Sequence, residues 1–290
     1  MAIAKGTLIM TKDGWTPVGK VTLNDFACTH MNRFAKTTVK KVTGNKTGVT
    51  LYIKSLPGIR VSDDSMLYVL QPDGTFGFSP VSEVQEGTMV PVLKNTEECK
   101  STLTPEMASL LGLYCAFGKV FKKNRVQIEF AIPKKTDISL PWDSNDISAP
   151  DDRLAVYPVP SDITTFLCLH ATTNDLRRYI PNLTLAPAEL CRHFIDAYSL
   201  TNKRKVFSFK NKDDAFTFAS ILEKTTGCKS AIKFAKDRFY VNTDRKTEVK
   251  DDFYLCPLEQ KVVSKEPENM YRLSTDKDFS VVAGGIIVKG

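Results

Sequence analysis

The residues whose side chains could act as nucleophiles, general bases or metal ligands include seven cysteines and three histidines, spread along 290 residues. No two cysteines form a C-x-x-C pair, and the histidines at positions 30, 170 and 193 are too scattered for a metal site. Cys28 and His30 form the closest thiol–imidazole pair, since residues two apart on a strand share a face. Because no third group that would orient the imidazole is apparent, we predict no nucleophilic cysteine here. The sequence therefore predicts no metal ligand and no cofactor.

The positive charge of the chain is concentrated in one stretch. The formal net charge is +7, and residues 201–250 alone hold 13 Lys or Arg against 6 Asp or Glu. A basic face of this kind binds phosphate groups, or it is a solvated lysine-rich surface. The sequence leaves both interpretations open.

The bulk composition is that of a soluble globular protein, with 42% hydrophobic and 25% charged residues. No apolar run approaches the roughly 18 residues of a membrane-spanning helix, so we predict no membrane span. The N-terminus lacks the basic segment and apolar stretch of a secretory signal. An odd number of cysteines without close pairs argues against a disulfide framework. We therefore expect the cytoplasm or another reducing intracellular compartment, and no secretion.

The first hundred residues hold many short strand-like runs separated by turn signals. Such spacing is typical of a compact sandwich or barrel-like β module. Lys12-Asp13-Gly14 and Pro72-Asp73-Gly74 are strong turn signals, because aspartate followed by glycine favours tight turns. The predicted strands cover residues 7–10, 39–42, 49–53, 66–70 and 89–93.

The pattern changes after residue 100. Thr104 followed by Pro105 starts a helix, because a hydroxyl caps the first turn and proline fits the first helical position. A helix–strand order occurs twice, at 105–131 and 187–209, which predicts an α/β insertion with weak internal duplication. We predict helices at 107–116 (ended by Gly118), 190–198 and 213–225 (ended by Gly227), a loop-rich stretch at 133–160, and strands at 126–131, 206–209, 239–242, 253–256, 271–274 and 279–288.

Motifs at both ends and in two of the helices resemble those of one family. Residues 2–10 with Asp13-Gly14 look like the opening block of inteins, especially those of the yeast vacuolar-ATPase type. Residues 58–69 resemble the second splicing block, and residues 270–273 and 279–288 resemble the two closing blocks. Within the insertion, residues 110–118 resemble the LAGLIDADG helix of homing endonucleases, and residues 194–198 resemble its second copy.

The resemblance implies a mixed α and β fold. It implies an all-β Hint-like splicing module, split in sequence by an inserted α/β LAGLIDADG endonuclease-like domain. On this basis we predict three segments. Residues 1–100 are the N-terminal part of the Hint-like module, 101–249 are the endonuclease-like insertion, and 250–290 are the C-terminal part of the module.

The resemblance also assigns splicing roles to positions that hold other residues in this chain. The nucleophile position holds Ala2, whose methyl group cannot attack a carbonyl, and only Met1 precedes it, so we expect no host segment to splice. Ser62 and Ser65 replace the Thr and His that activate the amide, so the imidazole is missing. The closing His-Asn pair is replaced by Lys289 and Gly290, and glycine has no side-chain amide that could cyclise.

The endonuclease motifs likewise hold other residues at the positions where the family has its catalytic residues. In the family, an acidic residue near the end of each helix motif holds a divalent cation over the scissile phosphate. These positions are Phe117 and Tyr198 here, so we predict no metal. Asp196 lies two residues earlier and would project in another direction on a helix. His193 stands where the family prefers glycine, and we expect it to loosen or shift the crossing of the two helices.

Eight basic residues follow the two helix motifs, in regions where strands of the family contact DNA. Basic residues among apolar ones fit a half-exposed sheet. We identify them as candidate nucleic-acid-binding residues, with a solubilising surface as the other interpretation. They are Lys122, Lys123, Arg125, Lys203, Arg204, Lys205, Lys210 and Lys212.

These observations predict a domesticated, catalytically inactive relic that works by binding. A protein partner is favoured, as for an adaptor in a virus or another mobile element, and nucleic acid is the other partner. Two alternatives remain open. One is a DNA-binding protein that does not cleave. The other is an active homing endonuclease that uses displaced acidic residues, Asp196 with Glu106 or Glu189, together with Mg²⁺.

Overall fold

The computed structural model describes residues 2–42, 47–94, 98–122, 125–136, 138, 140–142, 153–202, 205–264 and 270–289, with the backbone alone at 39–42. The chain forms two compact units: Met1–Glu97 with Phe207–Gly290, hereafter unit 1, and Glu98–Val206, hereafter unit 2. None of the helices in these described ranges is long and apolar enough to cross a membrane.

Strands and four helices alternate along the described chain. In chain order the elements are β1 (Ile3–Ala4), β2 (Leu8–Thr11), β3 (Gly14–Pro17), a 3-10 turn (Val18–Lys20), β4 (Phe26–Cys28), β5 (Phe34–Val42), β6 (Gly48–Ile53), β7 (Ile59–Ser62), β8 (Met66–Leu70), β9 (Phe76–Pro80), β10 (Met89–Leu93), α1 (Pro105–Phe117), β11 (Gly118–Lys122), β12 (Val126–Pro133), β13 (Leu154–Pro158), α2 (Ser161–Ala171), α3 (Ala188–Tyr198), β14 (Phe207–Phe209), α4 (Lys212–Thr226), β15 (Lys229–Ala235), β16 (Arg238–Asp244), β17 (Glu248–Lys250), β18 (Phe253–Ser264), β19 (Met270–Thr275), β20 (Ser280–Ala283) and β21 (Ile286–Lys289).

Unit 1 is built on a 15-stranded sheet with the order β10-β18-β6-β7-β1-β19-β5-β4-β2-β20-β21-β8-β9, in which β3 pairs with β2 and β17 with β18. Its ladders are antiparallel, so consecutive side chains alternate between the core and the outside. Ile3, Leu51 and Leu67 are completely buried in its core. Gly284 and Gly285 have positive φ angles, which allow the two-residue turn between β20 and β21.

A smaller sheet of unit 1, in the order β14-β16-β15, packs against α4. Phe218 of the helix lies 4.6 Å from Phe207 and 5.0 Å from Phe209, measured between ring centroids. On another side of α4, Phe216 packs edge-on against Trp15 of β3 at 5.0 Å. The sequence analysis assigned residues 101–249 to the insertion, whereas residues from Phe207 onward pack within unit 1.

Unit 2 contains both helices with LAGLIDADG-like motifs and a three-stranded sheet, β11-β12-β13. Helix α1 begins as the sequence predicts, with the Thr104 hydroxyl accepting the Met107 N–H and proline in the first turn. Helices α1 and α3 pack directly against each other. Tyr114 of α1 is completely buried and its hydroxyl lies 2.6 Å from the Thr172 hydroxyl, which places α1 firmly in the core.

The predicted mixture of α and β is confirmed, and most predicted elements occur within a few residues of their predicted bounds. Gly227 ends α4 in the left-handed conformation, as expected of a helix terminator. Gly118 does not act in this way, because its backbone is extended and it opens β11 directly. The stretch predicted to be loop-rich contains β13, and α2 was not predicted.

Candidate functional site

The sheet of unit 1 brings four of the sequence-predicted splicing positions together. Strand β1 pairs with β7 through Ile3 and Val61, which places Ala2 beside Ser62. Strand β21 pairs with β8 through Lys289 and Met66, next to Ser65. The turn from Ser62 to Ser65 therefore connects β7, which pairs with the first strand, to β8, which pairs with the last strand. Gly290 lies outside the described residues.

The hydroxyl of Ser62 is the centre of a small buried hydrogen-bond network. It accepts the Ala2 N–H at 2.7 Å and lies 3.0 Å from the Ser65 hydroxyl, and it donates to the Asp64 carboxylate. The Ser62 N–H in turn donates to the Ala2 carbonyl oxygen at 2.8 Å. Ala2, Ser62 and Ser65 are all completely buried. This arrangement positions the amide of Ala2, and the Ala2 side chain presents only a methyl group.

His30 lies in the same unit, and its partner is Ser280 rather than Cys28. Its Nδ1 is 2.8 Å from the Ser280 hydroxyl, which also accepts the His30 N–H at 3.2 Å. The ring packs against Tyr68 and Phe78, each 5.5 Å away between centroids. Burial lowers the pKa of His30 from its ordinary value, and the positive charge of Lys289 acts in the same direction. The Cys28 thiol, considered with His30 from the sequence, donates to the Thr29 carbonyl oxygen at 3.7 Å, and β4 ends at Cys28.

A buried carboxylate stands next to this histidine. Asp278 accepts hydrogen bonds from the guanidinium of Arg33, one of them from Nε at 2.8 Å, and from the Thr29 hydroxyl at 2.5 Å. Arg33 lowers the pKa of Asp278 to about 2, so the carboxylate is ionised at neutral pH. The Ser280 hydroxyl is completely buried and cannot reach a substrate from solution. The cluster is therefore suited to holding the last hairpin in place.

In unit 2, the two positions that we matched from the sequence to metal-binding carboxylates hold aromatic residues. Phe117 is the last residue of α1 and Tyr198 the last of α3; both are half-buried, and the Tyr198 ring stacks on Phe194 at 5.9 Å. Asp196 is exposed. Among the residues that the structure describes, no group of three or more His, Cys, Asp or Glu is placed to hold a metal ion.

Comparison with known proteins gives distant likenesses. No protein-family model matches the chain, and no curated protein matches it. The structure is similar to a mutant of an Ssp DnaB mini-intein variant, with 11% identity, a TM-score of 0.39, and coverage of 100% of this chain and 98% of that one. It is similar to the gp41-1 intein, with 14% identity, a TM-score of 0.25, and coverage of 31% and 67%. It is also similar to variants of the homing endonuclease I-DmoI, with 15% identity, a TM-score of 0.35, and coverage of 48% and 88%.

The chain therefore resembles inteins and a homing endonuclease in structure. These are the two kinds of protein whose motifs its sequence resembles.

The described members of the eight candidate nucleic-acid-binding residues are divided between the two units. Lys123, Lys203 and Arg204 lie outside the described residues. Unit 2 holds three of the others, and unit 1 holds Lys210 and Lys212 at the end of β14 and the start of α4. The three in unit 2 are the exposed residues Lys122, Arg125 and Lys205.

Several residues of the site were not found by sequence reasoning. The Asp64 carboxylate accepts a hydrogen bond from the Ser62 hydroxyl. Its position in the sequence between Ser62 and Ser65 was the one local feature that could have indicated this contact. His30 and Ser280 are 250 residues apart, and only the sheet order brings them together. No spacing pattern in a single sequence reports such a contact.

Proposed function

We propose that this chain is a catalytically inactive relic of an intein with an inserted homing endonuclease, and that it acts as an adaptor by binding another protein. The observation that carries the proposal is the environment of Ala2. Its amide is held by Ser62 as a scissile amide would be held, but no nucleophile is attached to it. Splicing begins when the side chain of the residue at this position attacks the carbonyl that precedes it, and a methyl group has no atom that can attack.

The positions of the acidic residues support the absence of nuclease activity. Glu189 and Asp196 lie seven residues apart on α3, which corresponds to about 10 Å along the helix axis. Two carboxylates that share one metal ion must come within about 4 Å of each other, which residues one helical turn apart achieve more readily than residues two turns apart. Glu106 is exposed in the first turn of α1, where a hydrogen bond with Thr104 lowers the pKa of its carboxyl. This carboxylate therefore stabilises the first turn of α1.

The outer face of the unit 2 sheet favours a protein partner over duplex DNA. We call it the Phe121 face, and it is the face opposite the buried residues of β12. Duplex DNA is held mainly by cations that neutralise phosphates. On this face one lysine stands directly opposite one glutamate, and most of its other residues are apolar and half-buried. Its residues are Lys119, Phe121, Gln127, Glu129, Ala131 and Val156.

The partner is tested by pull-down of the tagged full chain from its native host, with and without nuclease, followed by mass spectrometry. Phe121→Glu changes the Phe121 face, and Leu169→Glu makes the same kind of change at a residue of α2 that is 72% exposed. We expect a protein that survives nuclease treatment, is lost with Phe121→Glu and is kept with Leu169→Glu. Recovery of partners only while nucleic acid is intact would instead favour the DNA-binding alternative.

Inactivity is tested separately. A reporter protein fused in front of Ala2 should stay attached in the presence of thiol or hydroxylamine, with an intact mass for the fusion. Supercoiled plasmid incubated with the chain and Mg²⁺ should stay uncut. Nicking that disappears in Asp196→Ala would establish the active endonuclease instead, and release of the reporter would show that splicing chemistry persists.

A further inference from the structure

Unit 1 contains a groove that belongs to none of the sites above. Its volume is about 880 Å³, and it runs between the loop that follows β6 and the hairpin of β15 and β16. The two walls are joined by the Ile232 N–H, which donates to the Ser55 carbonyl oxygen at 2.9 Å. The Ser55 hydroxyl also donates to the Asp244 carboxylate at 2.9 Å. These two hydrogen bonds fix one wall against the other. We call this feature the Phe234 groove.

The groove exposes aromatic rings on both walls. Phe234 is 58% exposed on β15, and Tyr52 is 41% exposed on β6. Phe234 lies against half-buried Phe239, with 4.8 Å between ring centroids. Exposed rings of this size are unfavourable in water unless a ligand covers them, and their flat faces accept other rings by stacking.

The groove lining carries three lysines, at positions 54, 212 and 233, against two carboxylates, Asp244 and Glu259. Lys212 is half-buried in its lining, and its Nζ lies 5.8 Å from the centre of the Phe216 ring. Burial lowers the pKa of this ammonium group, and within the described ranges it makes no hydrogen bond or ion pair. Lys233 is exposed on the neighbouring strand. The Asp244 carboxylate is already engaged by Ser55 and by Lys54 at 4.0 Å.

We propose that the Phe234 groove binds single-stranded nucleic acid, with bases stacked on Phe234 and Tyr52 and the backbone phosphates beside Lys212 and Lys233. Unpaired bases present free ring faces to aromatic side chains, and a basic groove follows the phosphates. A duplex keeps its bases stacked inside, so it cannot use the exposed rings. Residues 205–250, which form one wall of the groove, hold 11 Lys or Arg against 6 Asp or Glu, so this part of the chain also attracts polyanions.

A peptide fits these features less well. An apolar segment would cover the rings and would bury the Lys212 ammonium without an anion, which is unfavourable. An acidic extended segment would supply that anion, and the experiment therefore includes one. This inference goes beyond the proposed protein-binding function and does not rest on it, because the Phe121 face and the Phe234 groove belong to different units.

The experiment measures fluorescence anisotropy of a labelled oligodeoxythymidine of about 12 nucleotides, a length within the known site sizes of single-strand-binding folds, on the full chain. The same measurement is made with the oligouridine, with a duplex of equal length, and with a labelled peptide of alternating Glu and Leu. The oligouridine shows whether RNA or DNA is preferred. Both single strands should bind more tightly than the duplex.

Phe234→Ala should weaken single-strand binding by about 5- to 150-fold, the usual effect of removing one stacking ring. Lys212→Met should lower the slope of log affinity against log salt by about 0.7, the share of one phosphate contact. The matched controls are Phe26→Ala and Lys12→Met, because Phe26 is another exposed ring of unit 1 with a lysine 4.9 Å from its centre. These controls should leave the affinity unchanged, and thermal melting should show that each variant is folded.

Equal affinity for duplex and single strand would overturn the inference, as would equal losses in the groove and control variants. Binding of the acidic peptide without the oligonucleotide, lost in Phe234→Ala, would assign the groove to an extended protein segment and would also overturn it. Loss of the pulled-down protein in Phe121→Glu concerns the other unit, so the two proposals fail independently.

Discussion

Gly112 lies directly against the backbone of Phe194 in unit 2. A Cβ atom on residue 112 would stand 2.4 Å from the Phe194 carbonyl oxygen and 3.0 Å from the Ala197 Cβ. From the sequence we expected His193 to loosen or shift this crossing of α1 and α3, and that expectation stays a prediction, although the contact at Gly112 is close. The close approach depends on Gly112 and on small Ala197, while His193 is only half-buried. The two helices therefore keep a tight seam without the second glycine.

From this close contact between α1 and α3 we expect Gly112→Ala to destabilise the chain. Alanine is favoured over glycine within a helix by about 1 kcal/mol, but the new methyl group would force the two backbones apart. We expect the overpacking to prevail and the free energy of unfolding to fall by about 1–3 kcal/mol. Urea denaturation followed by circular dichroism measures the change. Gly6→Ala is the control, because a Cβ there meets nothing within 4 Å; a gain in stability for Gly112→Ala would contradict the close crossing.

The parts of the fold that the sequence predicted are those with local signals. Thr104 and Pro105 start α1, and Gly227 ends α4 in the left-handed conformation that glycine adopts at low cost. The strands of the β module follow from alternation and from turn residues such as Gly74, whose φ angle is positive. In each case the physical cause lies within a few residues.

The parts that could not be predicted depend on distant contacts. Helix α2 begins after Pro160 without a side-chain cap and contains β-branched residues such as Ile163 and Thr164, so neither its start nor its propensity is marked. The packing of α4 within unit 1 depends on contacts with Trp15, about 200 positions earlier in the chain. The neighbourhood of Ala2, Ser62 and Lys289 requires the strand order, which the residues alone leave open.

Asp278 predicts a pH dependence of stability. Its side chain is only 7% exposed, and Arg33 lowers its pKa to about 2 from the ordinary 3.8. The unfolded chain therefore binds more protons between these values, so the stabilisation is complete above about pH 5 and is lost as the pH falls towards 2. At pH 7 we expect Asp278→Asn to lower the free energy of unfolding by about 1–3 kcal/mol.

The measurement is urea denaturation of the native chain and Asp278→Asn at several pH values from 7 down to about 3. The difference between them should narrow as the pH falls. Asp276→Asn, at an exposed carboxylate two residues away, should change stability little at any pH. A difference that stays constant with pH would mean that the Asp278 carboxylate is not held in its ionised form by Arg33.

The hydrogen bond between Trp15 and Ser220 should stabilise the packing of β3 against α4. The Trp15 indole N–H donates to the Ser220 hydroxyl at 2.9 Å. Trp15→Phe keeps a ring next to Phe216 and removes the hydrogen bond, so we expect a loss of about 0.5–1.5 kcal/mol. Trp142→Phe is a matched control, because among the described residues the Trp142 indole N–H has no acceptor. Equal losses in both variants would argue against a specific role for the Trp15–Ser220 bond.

A buried ion pair predicts a difference between single and double substitutions. Lys229 is 3% exposed and Glu223 12% exposed, and the Glu223 carboxylate accepts from both the Lys229 ammonium and the Ser230 N–H. Glu223→Gln keeps an acceptor for Ser230 but leaves the Lys229 charge buried without an anion, so we expect a loss of about 3–5 kcal/mol. Glu223→Leu combined with Lys229→Met removes both charges and should cost less than the single change, although it leaves the Ser230 N–H without this acceptor. Chemical denaturation of the three chains decides this, and a double variant that is less stable than Glu223→Gln would show that the pair itself contributes net stability.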